Sequence, residues 1–405
     1  MPIPLPEPQP EPTPPWLQNA AARRYLRPVL ERDLAQKMVI LGGPRQVGKT
    51  SLGRSLIPNP QAEMNYDVAA QRQAILRHEL PASSMWFFDE IHKYKGWRNF
   101  LKGLVDEQAQ KAANPLHAGE PRQRILVTGS ARLDLYRFGG DSLQGRYFYL
   151  RLHPLSVAEL GGHADALPQL LALGGFPEPF FKGSAGFAQR WRLAYRERLV
   201  REEVTSLETV SDLGKLELLH MALTERVGSP LSLNALREDL QVQHSTVARW
   251  VDILERLYGI FRLAPFTGGL RNATRLRAVK KEQKHYHCDW SVVPDPAARF
   301  ENLVASHLAK WVEYQVDTRG EALELRYFRD VDGREVDFVV LHNQEPIALV
   351  ECKQADADVS GSLRYLKLRY PAVQAWQVSS TGTKDYVNRD GIRVANAGVL
   401  LRQLI

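Results

Sequence analysis

The sequence predicts an α/β protein: a parallel sheet with helices on both faces, then a helical lid, a winged helix and a second α/β domain. Three observations carry this. Apolar runs alternate with helical periods between residues 38 and 130, a glycine-rich loop joins the first run to a helix, and from about residue 276 short apolar strands are separated by turn residues. At 405 residues the chain is too long for one core and fits two to four domains of ~100–200 residues each.

Composition narrows the class. Lys+Arg 53 against Asp+Glu 46 leaves a net charge of +7, and 44% hydrophobic with 24% charged residues describes a globular chain rather than a disordered one. Two cysteines, Cys288 and Cys352, are too few for a disulfide framework or a four-cysteine zinc site, which predicts a reducing, cytoplasmic setting. No run approaches the ~20 apolar residues of a membrane span, and the N-terminus lacks a basic stretch followed by an apolar one. Neither export nor a membrane partner is expected.

Residues 1–17 form a proline-rich arm, with proline at eight of the first fifteen positions, that favours an extended polyproline conformation and cannot build a core. Residues 18–155 read as the first α/β domain, with apolar strand runs at 39–41, 85–92 and 124–130 and a surface loop at 113–123. The helical lid covers 156–226, interrupted by the glycines and prolines of LGGFPEPFF at 173–181. In 227–275, Val247, Val251, Leu254 and Leu257 recur at helical spacing after a shorter helix, the layout of a winged helix-turn-helix. The remainder, 276–405, is the second α/β domain.

Gly43-Pro44-Arg45-Gln46-Val47-Gly48-Lys49-Thr50, followed by Ser51, lies between a strand and a helix and satisfies the phosphate-loop pattern G-x-x-x-x-G-K-[ST]. Glycines let successive backbone N–H groups face a phosphate, the helix N-terminus adds partial positive charge, Lys49 reaches the β/γ oxygens of ATP, and the Thr50 hydroxyl ligates Mg²⁺. In MWFFDEIH, Asp89 and Glu90 end a buried strand, where open α/β sheets bind ligands. Asp89 is expected in the Mg²⁺ shell and Glu90 to polarise the attacking water. Thr128 and Ser130, at the end of RILVTGS, are placed to sense the γ-phosphate.

These motifs, with LQGRYFYLRLHPLSVAEL, GGFPEP, FENLV, REVDFVV and VECK, resemble the bacterial and archaeal AAA-superfamily ATPases that carry a C-terminal domain long catalogued as of unknown function. The resemblance covers nearly the whole chain after the proline arm. It implies that Arg146, in the Gly-Arg pair before a strand, acts as an arginine finger or sensor; Arg132 competes for that role, and an ordinary surface ion pair accounts for Arg146 equally well. It also implies a homo-oligomer, a hexamer being one form.

Asp337 in EVDFVV and Glu351 in LVECKQ fall on two extended runs joined by a turn, so both face one side of a hairpin. Glu301 comes from the preceding helix and Lys353 shares a face with Glu351. This Glu…Asp…Glu-x-Lys arrangement resembles the fold of restriction enzymes and junction resolvases, which implies a second divalent-metal site. A solvated strand face would explain Glu351 and Lys353 alone; the apolar flanks of Asp337 and Glu351 demand compensation for a buried charge. Cys352, on the opposite face, is expected in the core, and His285, His287 and Cys288 are too closely spaced for a metal site.

The stretch RNATRLRAVKKEQKHYH (271–287) holds six Lys/Arg against one acid and ends on Tyr286 and two histidines. It reads either as a solvated face or as a phosphate contact, with Arg275, Arg277, Lys280 and Lys281 leading. In the helix-turn-helix reading the second helix starts near His244, Ser245 and Thr246 and turns Arg249 and Arg256 outward; the same module in AAA proteins also serves as packing only. The expected function is a Mg²⁺-dependent ATPase acting on duplex or branched DNA. The alternative is a slow nucleotide switch working through protein contacts.

Overall fold

The computed structural model describes residues 24–114, 122–129, 143–204, 212–268 and 282–405. The first unit is a five-stranded parallel sheet in the order β2-β3-β4-β1-β5, formed by Met38–Gly42 (β1), Glu63–Asn65 (β2), Met85–Asp89 (β3), Arg124–Thr128 (β4) and Tyr147–Arg151 (β5). Its central strands are buried on both faces, as parallel strands with covered faces require. On one face Arg27–Leu34 (α1) and Lys49–Arg54 (α2) pack Leu30, Leu34 and Leu52 against Val39, Phe87 and Leu126. On the other, Ala69–Arg77 (α3) and Trp97–Ala113 (α4) pack Ile75, Phe100 and Leu104 against Ile40, Phe88 and Val127. β4 lies between β1 and β3, so the phosphate loop and the Asp89 strand end flank a third strand end, that of Thr128.

Helices Ala166–Leu173 (α5), Pro177–Lys182 (α6) and Ala185–Arg198 (α7) follow, and a π-helical turn, Leu199–Val204, continues α7. The glycines of the GGFPEP stretch do end α5, as expected, but its first proline begins α6 rather than breaking a helix, since Pro177 occupies a first-turn position where no N–H is needed. Leu213–Thr224 (α8), Leu233–Leu240 (α9) and His244–Arg256 (α10) enclose a core of Leu219, Leu236, Val247, Trp250, Val251 and Leu254. Ile260–Leu263 (β6) then pairs antiparallel with Lys284–His287 (β7). A boundary at residue 276 therefore falls between the two strands of one ribbon.

The last unit opens on the 24-residue helix Pro296–Arg319 (α11), capped at its start by Asp295. Leu323–Arg329 (β8), Glu335–His342 (β9) and Glu345–Lys353 (β10) form an antiparallel meander; Gly361–Arg369 (α12) crosses to Gln374–Ser379 (β11), parallel to β10. Asp385–Val387 (β12), Ile392–Asn396 (β13) and Ala397–Leu401 (α13) complete a sheet ordered β12-β13-β11-β10-β9-β8. α11 and the lid helix α5 cover one face through Leu167, Leu170, Phe300, Val304 and Leu308, and α12 covers the other through Leu363 and Leu366. No helix among the described residues is long and apolar enough to cross a membrane.

The expectation that the whole basic stretch faces outward fails at its end. Lys284, His285, Tyr286 and His287 are buried in β7, because that strand is sandwiched between α8 and α11. His220, His285 and His287 sit ring against ring, and burial lowers the pKa of His220 and of His285 to about 4. A histidine neutral when folded and titrating near 6.5 when unfolded contributes stability above pH 6.5 that is lost as the pH falls toward 4. The buried carboxyls Asp337 and Glu301 titrate in the opposite sense, so the histidine effect is read as a difference. The unfolding free energy of the native chain minus that of His220→Met should decline by about 1.4 kcal/mol per pH unit between 6.5 and 4 in urea titrations; a flat difference would contradict it.

Candidate nucleotide site

Arg45, Gln46, Gly48, Lys49, Thr50, Ser51, Asp89 and Glu90 line one open cavity of about 500 Å³, closed on the lid side by Pro177, Glu178 and Phe181 of α6. The loop needs its glycines here. Gly43 has φ +126° and a Cβ there would lie 2.3 Å from the Leu152 carbonyl, while Gly48 has φ +101°. Lys49 is almost fully buried and donates to the carbonyls of Gly43 at 2.8 Å and Pro44 at 2.7 Å, a folded-back position on the loop it would leave to reach a phosphate.

Asp89 is held from two strands and a helix. Thr50 Oγ1 donates to it at 3.0 Å, Thr128 Oγ1 at 2.5 Å and Asn65 Nδ2 at 3.4 Å. Burial raises the Asp89 pKa; its hydroxyl partners oppose the rise and Glu90 adds to it. Such a carboxylate gains from a cation, so the donor set of Thr50 and Asp89 fits Mg²⁺. Glu90 stands in the left-handed region at φ +56°, with its N–H donating to the Thr128 carbonyl and its carboxylate 3.1 Å from Lys93 Nζ. Lys93 in turn pairs with Asp67 at 2.5 Å, which holds Glu90 beside the cavity.

Ser130 and Arg132 lie outside the described residues. Arg146 precedes β5 at the end of the sheet opposite the phosphate loop and pairs with Asp106 of α4 at 2.9 Å. It cannot reach the phosphates of its own chain. The loop also leans on a group the sequence reading passed over: Arg24, buried, donates to the Val47 carbonyl at 2.7 Å, to the His153 carbonyl, and to Glu159 at 2.8 Å.

In the C-terminal unit the strand register brings Asp337 and Glu351 side by side, one step beyond the Val350–Phe338 pair, and Asp337 accepts the Cys352 N–H at 2.8 Å. Tyr286 donates to Glu301 at 2.8 Å and Lys353 to Glu351 at 2.7 Å. The acids thus converge as expected, but the compensating cation is different. Lys284, fully buried, enters from β7 and sits 2.5 Å from Glu335 and 3.5 Å from Glu301. Burial raises Asp337 well above the usual carboxylate range, and Glu301 and Glu351 push it further. Among the described residues no group of three or more His, Cys, Asp or Glu side chains is gathered to hold a metal ion. An ammonium from β7 thus stands in the charge-balancing position beside Glu301 and Glu335. Cys352 is packed against the core, as expected.

Phosphate loop, acid pair and strand order together define a P-loop nucleotide-binding domain. Comparison with known proteins agrees: residues 35–161 match the family described as an AAA domain. Residues 164–298 and 297–399 match two domains of unknown function, DUF8612 and DUF4143. Uncharacterized proteins of Mycobacterium bovis and Mycobacterium tuberculosis are each 26% identical over 388 residues, covering 90% of this chain and 82% of theirs. Distant overlaps with solved structures include the Aeropyrum pernix Orc1 protein in complex with DNA (15% identity, 72% of this chain, 91% of that one, TM-score 0.30) and a signal-transduction ATPase with a tetratricopeptide repeat sensor from Pyrococcus horikoshii (14%, 71% and 46%, TM-score 0.22).

Removing the buried cation should expose the strain among the acids. Lys284→Met is expected to lower the unfolding free energy by about 3–5 kcal/mol, with millimolar Mn²⁺ restoring part of the loss. A melting temperature equal to the native one would show that Lys284 does not balance these charges.

Proposed function

We propose that the chain is a Mg²⁺-dependent AAA ATPase acting on DNA. The observation that carries the ATPase reading is the meeting of Lys49, Thr50, Asp89 and Glu90 around one cavity under the lid. Lys49 exchanges its loop carbonyls for the β/γ oxygens of ATP. Thr50 and Asp89 hold Mg²⁺, which when bound neutralises charge on the phosphate oxygens. Glu90, tethered by Lys93, orients the attacking water, and Thr128 fixes Asp89 from the intervening strand. Arg146, remote from its own cavity, serves a neighbouring subunit in a homo-oligomer.

The DNA reading rests on the net charge of +7, on the helix pair α9–α10 with Arg249 and Arg256 exposed on the second helix, and on the ribbon β6–β7 that follows as a wing. Arg275, Arg277, Lys280 and Lys281 lie outside the described residues and are assigned to phosphate contact by their charge. The C-terminal unit is a nuclease-like module that engages duplex or branched DNA. A second reading, a slow nucleotide switch acting through protein contacts in the cytoplasm, is favoured by the burial of Lys284 and Tyr286 at the end of the basic stretch.

Three outcomes are expected. Lys49→Ala should abolish tight ATP binding, whereas Glu90→Gln should keep binding and lose at least 100-fold in hydrolysis; equal loss of binding in both would reverse the assignment. ATPase rates should rise with DNA, most with four-way junctions; a rate indifferent to single strands, duplexes and junctions, with nucleotide retained stoichiometrically, supports the switch. Replacing Arg275, Arg277, Lys280 and Lys281 by alanine should weaken DNA binding and reduce its log–log salt slope by about 0.9 per lost contact, and an unchanged slope would assign the segment to solvent.

A further inference from the structure

Lys310 belongs to α11, a helix of the C-terminal unit, yet its ammonium is buried against the first domain. It donates to the Pro154 carbonyl and to Ser156 Oγ, both at 3.0 Å, and to Glu159, and it lies 4.3 Å from the centre of the Tyr25 ring. Glu159 Oε1 in turn accepts from Arg24 Nε at 2.8 Å and from the Tyr25 N–H at 3.0 Å. Arg24 then reaches the Val47 carbonyl at 2.7 Å, inside the phosphate loop. Three charged groups, from residues 24, 159 and 310, are nearly free of solvent and complete one another's bonding.

The last link bears on phosphate binding. In a trans peptide the C=O and N–H point in opposite directions. A guanidinium that fixes the Val47 carbonyl therefore aims the Gly48 N–H the other way, and Gly48 lines the nucleotide cavity. With glycine at φ +101° on one side of that peptide, the plane is free to flip unless something holds it. Arg24 is that hold. Its own orientation depends on Glu159, and the second oxygen of Glu159 depends on Lys310, apart from a 3.4 Å contact with Ser156.

We propose that Lys310 is a positioning residue for the phosphate loop, acting through Glu159 and Arg24 on the Val47–Gly48 peptide, so that the C-terminal unit sets nucleotide affinity in the first domain. The inference rests on the ATP-binding reading above. α11 makes the link stiff: His307, Lys310 and Glu313, at three-residue spacing, all bond to residues 153–159, and Glu301 of the converging acids lies on the same helix about 14 Å from Lys310. Whatever displaces α11 at its acidic end is felt at the loop.

The experiment measures the dissociation constant of a fluorescent ATP analogue for the full chain and for Lys310→Met, Glu159→Gln, the double variant, Lys310→Arg and Asp317→Asn, with melting temperatures alongside. Lys310→Met and Glu159→Gln should each weaken binding about tenfold, the double variant no more than either, and Lys310→Arg should recover most of the loss. Asp317→Asn loosens the same interface without touching the relay and should bind within twofold of native. The proposal is overturned if Lys310→Met binds like native, or if Asp317→Asn weakens binding equally. Should the buried variants not fold, hydrogen exchange on the native chain decides: ATP should slow exchange in residues 307–317, and unchanged exchange there overturns the relay. A native chain that binds no ATP at all fails the ATPase reading itself, whereas native binding with an indifferent Lys310→Met fails only the relay.

Discussion

A buried carboxylate, Glu159, holds the phosphate loop, the first helix and the C-terminal unit to one geometry. An ionised carboxyl removed from water costs several kcal/mol unless oppositely charged groups and hydrogen bonds satisfy it. Here burial opposes the charge, and Arg24 and Lys310 overcome that opposition and bring the pKa down to about 2. Lys310 alone would not be content either, since burial lowers its pKa to about 8. Segments separated by more than a hundred residues therefore meet at this one carboxylate.

The same economy of charge explains the nucleotide cavity. Placing β4 between β1 and β3 puts a hydroxyl, Thr128, at the strand end between the phosphate loop and Asp89. Asp89 thus stays buried with its oxygens satisfied by side chains of Thr50, Thr128 and Asn65, poised for a cation rather than collapsed onto Lys49, whose ammonium is occupied by loop carbonyls. α6 brings Glu178 and Phe181 over the opening, and Glu178 is itself fixed by the Trp191 indole at 3.1 Å.

In the C-terminal unit charge balance took another course. Burial raises the Asp337 pKa, and Glu301 and Glu351 sit close enough to raise it further, which by itself would invite a divalent ion. Lys284 supplies the positive charge from a neighbouring strand, and its own pKa is raised because Glu301, Asp337 and Glu335 outweigh the cost of burying it. The ribbon β6–β7 is thereby bound to the C-terminal sheet by an ion cluster as well as by Tyr286 against Phe338.

The sequence by itself determined the parallel sheet, the phosphate loop, the acid pair after β3 and the pairing of Asp337 with Glu351. Each is a local pattern: apolar runs of strand length, glycines where φ must be positive, acids at strand ends, alternation with period two. Only the tertiary structure decided which cation balances which acid. Arg24, Lys284 and Lys310 look in the sequence like three more of its 53 basic residues, because their partners, Glu159, Glu301 and Glu335, are distant in the chain or lie across strands. Arg146 likewise reads as a finger from its neighbours in sequence, and the parallel pairing of β5 with β1 puts it at the end of the sheet away from its own phosphate loop. Compensation of a buried charge acts through space at a few ångströms, and sequence spacing carries no record of it.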